Sequence, residues 1–178
     1  DRRDEDIGTT KTGNGPAYRD KYARKGVMAL EIPEFDDFII DMYTELHNNP
    51  EFDMIEILCE GAQGFGLDID WGEYPFVTSS HCTTAGVVAN GIPHKSIRDV
   101  WGVAKVYETY VGAKDFEDDA DPVFEEIREV GSEFGATTGR PRQISWMSAD
   151  LVKKSIKING VNKVVFNKAD LIKLGIIL

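Results

Sequence analysis

Basic charge is scarce in this chain. Its 178 residues carry 31 Asp and Glu against 20 Lys and Arg, a formal net charge of −11. That balance argues against non-specific nucleic-acid binding, which needs a basic surface, and leaves open small anions held by local groups. Cysteine is nearly absent as well. Cys59 and Cys82 make no disulfide framework, and neither has the neighbouring Cys or His that zinc needs. They read as ordinary thiols of a reducing cytoplasm, with a single pairing as the other option. No apolar run approaches the ~20 residues of a membrane-spanning helix. No repeat, low-complexity tract or dividing linker is visible. An initiator Met is missing, and the first six positions, all charged, do not make a signal peptide. A processed chain or a piece of a longer one is therefore expected.

Apolar residues make up 42% of the chain, enough for a buried core in one domain of this length. The expectation is one α/β domain over residues 1–178. Residues 8–26, rich in Gly, Thr and charge, read as a loop followed by a short helix. Phe35, Phe38, Ile39, Met42 and Leu46 recur at helical spacing, which predicts a helix over 35–47 with one buried face. The apolar run 54–58 predicts a short strand leading into the Gly-rich loop Glu60-Gly61-Ala62-Gln63-Gly64. A second strand is expected over 100–107. A helix is expected over 123–128, with Asp121 as cap and Pro122 at its first position. A longer helix over 149–158 is expected to be capped by Ser148 and stopped at Gly160. Val164-Val165-Phe166 reads as a third strand. Strands alternating with helices predict a largely parallel sheet flanked by helices.

Several segments carry chemistry. Asn167-Lys168-Ala169-Asp170 follows the third strand at once. An Asp carboxylate there accepts two hydrogen bonds from the N1–H and N2–H of guanine, while the Lys stem lies along the base. The other reading is a plain polar turn. Gly135-Ala136-Thr137-Thr138-Gly139-Arg140-Pro141-Arg142 sets two hydroxyls, two glycines and two arginines within eight positions. It suits a small dianion such as aspartate, or is a surface loop with incidental arginines. Gly8-Thr9-Thr10-Lys11-Thr12-Gly13-Asn14-Gly15-Pro16 suits a phosphate, or is a Gly-rich turn. It lacks the Gly-Lys-Ser/Thr ending of a P-loop. The hydroxyl cluster from Val77 to Gly86 precedes an apparent helix and offers either phosphate contacts or ordinary caps. His81 within it has no visible partner, which favours a structural role over acid–base work. Gln63 is an amide on a tight loop, able to donate and accept at a purine edge. Asp68 and Asp70 are Mg²⁺ candidates without a third ligand in view, so the structural reading leads and no metal site is assigned.

Taken in order, these stretches resemble adenylosuccinate synthetase. The resemblance rests on Gly8-Thr9-Thr10 with Gly13, Gly15-Pro16-Ala17-Tyr18, Asp20-Lys21 and Arg24, then on Glu60-Gly61-Ala62-Gln63-Gly64 and Leu67-Asp68-Ile69-Asp70. It continues through Tyr74-Pro75-Phe76-Val77-Thr78-Ser79-Ser80, Glu133-Phe134-Gly135-Ala136-Thr137-Thr138-Gly139-Arg140 and Asn167-Lys168-Ala169-Asp170. Each stretch is modest alone; the ordered set covers almost the whole chain and is specific.

The resemblance implies an α/β, P-loop-NTPase-like fold and a GTP-dependent ligase of the cytoplasm. Such an enzyme converts inosine monophosphate (IMP) and L-aspartate to adenylosuccinate through 6-phosphoryl-IMP, the committed step from IMP toward AMP. By the same resemblance, Thr10, Arg24, Gln63, Thr78, Val111 and Arg140 are IMP contacts, with Gln63, at the purine ring, also the catalytic residue expected within this chain. Ala136, Thr137, Thr138, Gly139, Arg140 and Arg142 are expected at aspartate, and Arg142, Lys168, Ala169 and Asp170 at GTP. Arg24 reaches a neighbouring subunit's site, which implies a homodimer.

The chain corresponds to the central portion of such an enzyme. The N-terminal phosphate-binding loop, with the catalytic base, the acid and the Mg²⁺ ligands, is expected outside it, as is the C-terminal part. These 178 residues alone are therefore expected to be inactive. Against the family pattern, Tyr110 stands where an Arg usually precedes Val111-Gly112, Pro141 and Gln143 interrupt a run of arginines, and the helical segment between Gly26 and Glu60 is short. Two alternatives accompany this reading. One is a viral-type relative acting on dGMP to give 2-amino-deoxyadenylosuccinate. The other is a non-catalytic guanine-nucleotide-binding homologue.

Overall fold

The structure, a computed structural model, describes residues 7–116, 122–136 and 139–177, with nothing said of the side chains at 52 and 53. The chain divides into two compact units, Lys11–Arg98 and Asp99–Leu178 with Asp1–Thr10. Each is taken by itself below.

In the Lys11–Arg98 unit, helix α1 spans Asn14–Tyr22 and buries no residue. Short 3-10 turns follow at Ala29–Glu31 and Pro33–Phe38, then a π turn at Thr44–Asn48. The helix expected over 35–47 is therefore broken. Asp41 explains the break. Its carboxylate accepts from the Tyr43 amide at 3.0 Å and the Thr44 hydroxyl at 2.6 Å, a local cap that competes with helix hydrogen bonding through this point. Nor is there a buried face: Phe35, Phe38, Ile39 and Met42 are all exposed.

The run 54–58 is not a strand. It has no ladder partner among the described residues, and Met54 and Leu58 are 87% and 90% exposed. Apolar sequence alone does not make a strand without a neighbour to accept its backbone bonds. Helix α2, Thr84–Ala89, begins where the hydroxyl cluster ends. Asp68 is the one buried residue among the described residues of this unit.

The second unit carries the sheet. Strand β1, Trp101–Lys105, is followed after Val106 by β2, Tyr107–Tyr110. The single strand expected over 100–107 is thus two, divided at a residue where the partner changes. Helix α3, Val123–Val130, places Phe124 and Ile127 three apart on its buried face. Pro122 is its cap rather than its first residue, and Asp121 lies outside the described residues. Strand β3 is Gln143–Trp146, helix α4 is Ala149–Asn159, strand β4 is Lys163–Asn167, and the short helix α5 is Asp170–Lys173.

The β1–β4 pair is parallel, in register from Trp101 with Lys163 to Lys105 with Asn167. The β2–β3 pair is antiparallel, a pairing the sequence did not announce. Helix α4 leads into β4 and obeys its local punctuation. The Ser148 hydroxyl accepts from the Leu151 amide at 3.2 Å, and Gly160 closes the helix at φ 63°, where glycine avoids a Cβ clash. Tyr107, Phe124, Ile127, Ile144, Leu171 and Ile177 form the core, joining β2, α3, β3 and α5. The segments at 111–113, 135–142 and 168–170 adjoin the ends of these elements. No helix among the described residues is long and apolar enough to cross a membrane.

Candidate functional site

In the Lys11–Arg98 unit the Gly-rich loop ends in a tight fold-back. The Thr78 amide donates to the Leu67 carbonyl at 2.8 Å and the Ile69 amide to the Ser80 carbonyl at 3.3 Å. Residues 78–80 are thereby laid beside 67–69. Gly72 is required at the bend, since a Cβ there would lie 2.5 Å from the Gly66 carbonyl oxygen and 2.6 Å from that of Asp68.

The fold-back is organised around Asp68. Its Oδ1 accepts from the amides of Asp70 at 3.0 Å and Trp71 at 3.1 Å, and its Oδ2 from the Cys82 amide at 2.6 Å. Burial pushes this carboxyl up, but the three amide bonds together with nearby His81 outweigh it and hold the group below its ordinary range. The same burial and the Asp68 charge push the Cys82 thiol up to about 11. Both cysteines are free thiols.

His81 is the partner that spacing along the chain could not reveal. Its Nδ1 lies 3.6 Å from Asp68 Oδ2 and 3.8 Å from Asp70 Oδ2. The trio is the one group among the described residues with metal-ligand proximity. It does not suit Mg²⁺, which takes a near-octahedral shell of oxygens: Asp68 has committed its oxygens to amides, and His81 offers nitrogen. Asp70, His81, Ser79 and Ser80 line a cleft of about 360 Å³ together with Tyr18 and Lys21.

Gln63 is exposed and held at φ 60°. Arg24 follows α1, exposed, at φ 58°. Lys168 is at φ 63°. Only Lys11 and Ser132 join them as non-glycine residues with positive φ among those described. Such conformations carry a cost of order 1 kcal/mol and gather at ligand sites. Three of the five fall on residues that the resemblance assigns to nucleotides.

In the other unit, the segments assigned to IMP converge. The Ala113 amide donates to the Ile7 carbonyl at 3.4 Å, and the Arg140 guanidinium to the Gly8 carbonyl at 3.2 Å. Gly8 sits at φ 71°, and a Cβ on it would lie 2.7 Å from the Ala113 nitrogen. The contact thus requires glycine. It brings the Gly8-Thr9-Thr10 loop, the Val111–Ala113 turn and Arg140 together.

The arginine loop is a closed turn. The Gly135 amide donates to the Arg140 carbonyl at 2.8 Å and the Gly139 amide to the Gly135 carbonyl at 2.7 Å, while Phe134 bridges to Pro141. Ala136 and Gly139 are exposed on it. Thr137 and Thr138 lie outside the described residues. Arg142 also borders a cleft of about 350 Å³ with Arg128 and Phe134.

Beneath this loop lies a network that sequence reading missed. Glu133, buried between Arg142 and the sheet, accepts from Lys105 Nζ at 2.7 Å, the Tyr107 hydroxyl at 2.5 Å and Arg142 Nη1 at 2.7 Å. Burial pushes its carboxyl up, and these three donors more than reverse the effect. Tyr107 shifts upward through burial and the same carboxylate, and Lys105 downward through burial. One turn away, Lys168 Nζ donates to the Gly131 carbonyl at 2.7 Å. The only hint in the sequence is Glu133 itself, which opens the Glu-Phe-Gly stretch ahead of the loop. Asp170 is exposed at the start of α5, and Ala169 is exposed before it.

Comparison with known proteins fixes the class first. The solved, fully ligated adenylosuccinate synthetase of Plasmodium falciparum superposes with a TM-score of 0.82 at 31% identity, covering 92% of this chain and 48% of that one. The chain is therefore an α/β protein of the P-loop-like, GTPase type, the class expected from the sequence. The family follows. The adenylosuccinate synthetase family model matches residues 31–175, and the chain belongs to that family. The adenylosuccinate synthetase of Salinibacter ruber is 34% identical over 213 residues, 95% of this chain and 48% of the relative. That of Cytophaga hutchinsonii is 37% identical over 209 residues, 93% of this chain and 48% of the relative. A cyanophage S-2L succinoaminodeoxyadenylate synthetase, solved with dGMP and dATP, matches with a TM-score of 0.69 at 26% identity over 90% of this chain and 51% of its own. The chain spans about half the length of the relatives it matches.

Proposed function

We propose that this chain is the central portion of a GTP-dependent ligase that joins L-aspartate to IMP. An oxygen on a purine carbon leaves poorly. Transfer of the γ-phosphoryl of GTP to O6 converts it to a phosphate ester, and attack of the aspartate amine on C6 then expels phosphate and leaves adenylosuccinate. Thr10, Thr78, Val111 and Arg140 hold IMP, and the Gln63 amide reads the purine. Ala136, Thr137, Thr138, Gly139, Arg140 and Arg142 grip the two carboxylates of aspartate, with Arg142 also toward GTP. Lys168 lies along guanine, Ala169 lines it, and Asp170 accepts its N1–H and N2–H. Mg²⁺ would neutralise the GTP phosphates, with ligands from outside this chain. Arg24 reaches the IMP phosphate of a second subunit, so the enzyme works as a homodimer in the cytoplasm.

The observation that carries the proposal is the meeting of Gly8, Ala113 and Arg140. Three segments far apart in sequence, each carrying a residue assigned to IMP, touch where Gly8 must be glycine and the Arg140 guanidinium donates to its carbonyl. The viral alternative draws support from the phage structure solved with dGMP. The higher superposition and identity to the Plasmodium enzyme favour IMP.

The test is formation of adenylosuccinate by the full-length protein with GTP, Mg²⁺ and aspartate, offering IMP and dGMP in parallel. Product from IMP alone supports the proposal. Product from dGMP alone moves the protein to the viral branch, and silence with both leaves a guanine-nucleotide-binding homologue without catalysis.

A further inference from the structure

We infer that Glu133 is a positioning residue for the aspartate step, setting the guanidinium of Arg142 through a buried carboxylate and the ammonium of Lys168 through the turn on which it sits. This rests on the ligase reading above and assigns a role to a residue that reading left out.

Arg142 is tied to Glu133 twice. Its Nη1 donates to the carboxylate at 2.7 Å, and its backbone amide donates to the Glu133 carbonyl at 2.9 Å. Arg128 Nε adds a third tie, to the Arg142 carbonyl at 2.9 Å. A guanidinium has five donors, so Arg142 keeps others for a ligand. Glu133 is in turn fixed from the opposite side by Lys105 on β1 and Tyr107 on β2, so its position is set by the sheet rather than by the loop. One carboxylate holds two cations, Lys105 from the sheet and Arg142 on the loop side, where a dicarboxylate is proposed to bind.

The turn beneath carries the second contact. Gly131, two residues before Glu133, gives its carbonyl to Lys168 Nζ at 2.7 Å. The Glu133 amide closes the same turn on the Arg128 carbonyl at 2.9 Å. Lys168, assigned to guanine, and Arg142, assigned to aspartate and GTP, are therefore referenced to one short segment, 131–133. Arg140, assigned to both IMP and aspartate, donates to the Gly8 carbonyl at the other end of the loop.

The test is Glu133→Gln in the full-length enzyme, a variant of the same shape that keeps an acceptor and loses the charge. The KM for aspartate is expected to rise about tenfold or more, as for other buried charge pairs left with one partner, while the KM for IMP stays within about twofold. If that variant fails to fold because Lys105 and Arg142 are left unpaired, Lys105→Met with Glu133→Gln removes one of the two cations. It is expected to show the same selective rise. An unchanged aspartate KM, or a loss of active protein with all Michaelis constants intact, overturns the inference and leaves Glu133 a stabilising residue only. If wild-type protein makes no product from either nucleotide, the ligase reading has failed and this inference goes with it. A wild type that is active beside a kinetically normal variant sinks the inference alone.

Discussion

Gln143 stands directly opposite Tyr110 across the antiparallel β2–β3 pair, and its side chain reaches beyond the end of β2 to hold the loop that follows. Its Nε2 donates to the carbonyls of Gly112 at 3.3 Å and Lys114 at 2.7 Å, and its Oε1 accepts from the Phe116 amide at 2.9 Å. Tyr110 meets the Phe116 ring at 5.6 Å between centroids. Two of the three positions that depart from the family's arginines, 110 and 143, are thus cross-strand neighbours serving one loop. Gln143→Ala is expected to cost about 2 kcal/mol by denaturant unfolding, from the loss of partly buried hydrogen bonds. Gln143→Arg should restore the donations but not the acceptor, since a guanidinium has none. The Phe116 amide should then exchange faster with deuterium in both variants. Unaltered protection at Phe116 would remove Gln143 from this role.

Asp68→Asn is expected to cost about 2–3 kcal/mol at neutral pH, because an amide can accept from only one side while three backbone donors converge. The pH dependence follows from the lowered carboxyl. The stability it contributes is fully present above the ordinary value of 3.8 and is lost as pH falls through the lower folded-state value. The gap between wild type and variant should therefore narrow only in strong acid. A gap that closes above pH 4 would contradict the assignment.

The two thiols should react very differently. Cys59 is exposed, whereas burial and Asp68 push Cys82 up to about 11. At pH 8 an ordinary thiol holds roughly a hundredfold more thiolate than such a group. Alkylation followed by peptide mass spectrometry should show the exposed Cys59 modified first and Cys82 lagging far behind. Equal rates would mean that the fold-back around Asp68 opens readily.

Gln63→Ala in the full-length enzyme should lower turnover with little change in stability. The residue is exposed and its backbone holds a φ of 60°, and the role proposed for its side chain is contact with the purine rather than packing. A loss of about tenfold in kcat is expected from one hydrogen bond to the purine. Arg24→Ala should instead raise the KM for IMP. A variant that only dissociates the dimer would make Arg24 an interface residue.

Helix α4 was fully legible in the sequence because its punctuation is local: Ser148 and Gly160 act on their own backbone and on residues within four positions. The Val164–Phe166 strand was legible as an apolar run, and its parallel pairing with β1 is what makes it a strand. The segment 35–47 misled because helical spacing promises a buried face, and burial depends on what packs against it. The apolar run 54–58 failed as a strand for the same reason. Within the site, the assigned residues were reached through ordered short motifs. His81 and Glu133 were not, since their partners are brought together by a fold-back and by a sheet, which no spacing along the chain records.

Gly131 has an ordinary helical φ of −73°, so its backbone does not demand glycine. Space does: a Cβ would lie 2.8 Å from the Tyr107 hydroxyl and 2.5 Å from the Ile127 carbonyl oxygen. In evolutionary terms, positions 107 and 131 are bound to change together. A lineage can acquire even an alanine at 131 only after the phenol and the end of α3 have moved. Because the Gly131 carbonyl also receives Lys168, such a step would unsettle the segment assigned to guanine before it touched any residue that contacts the base.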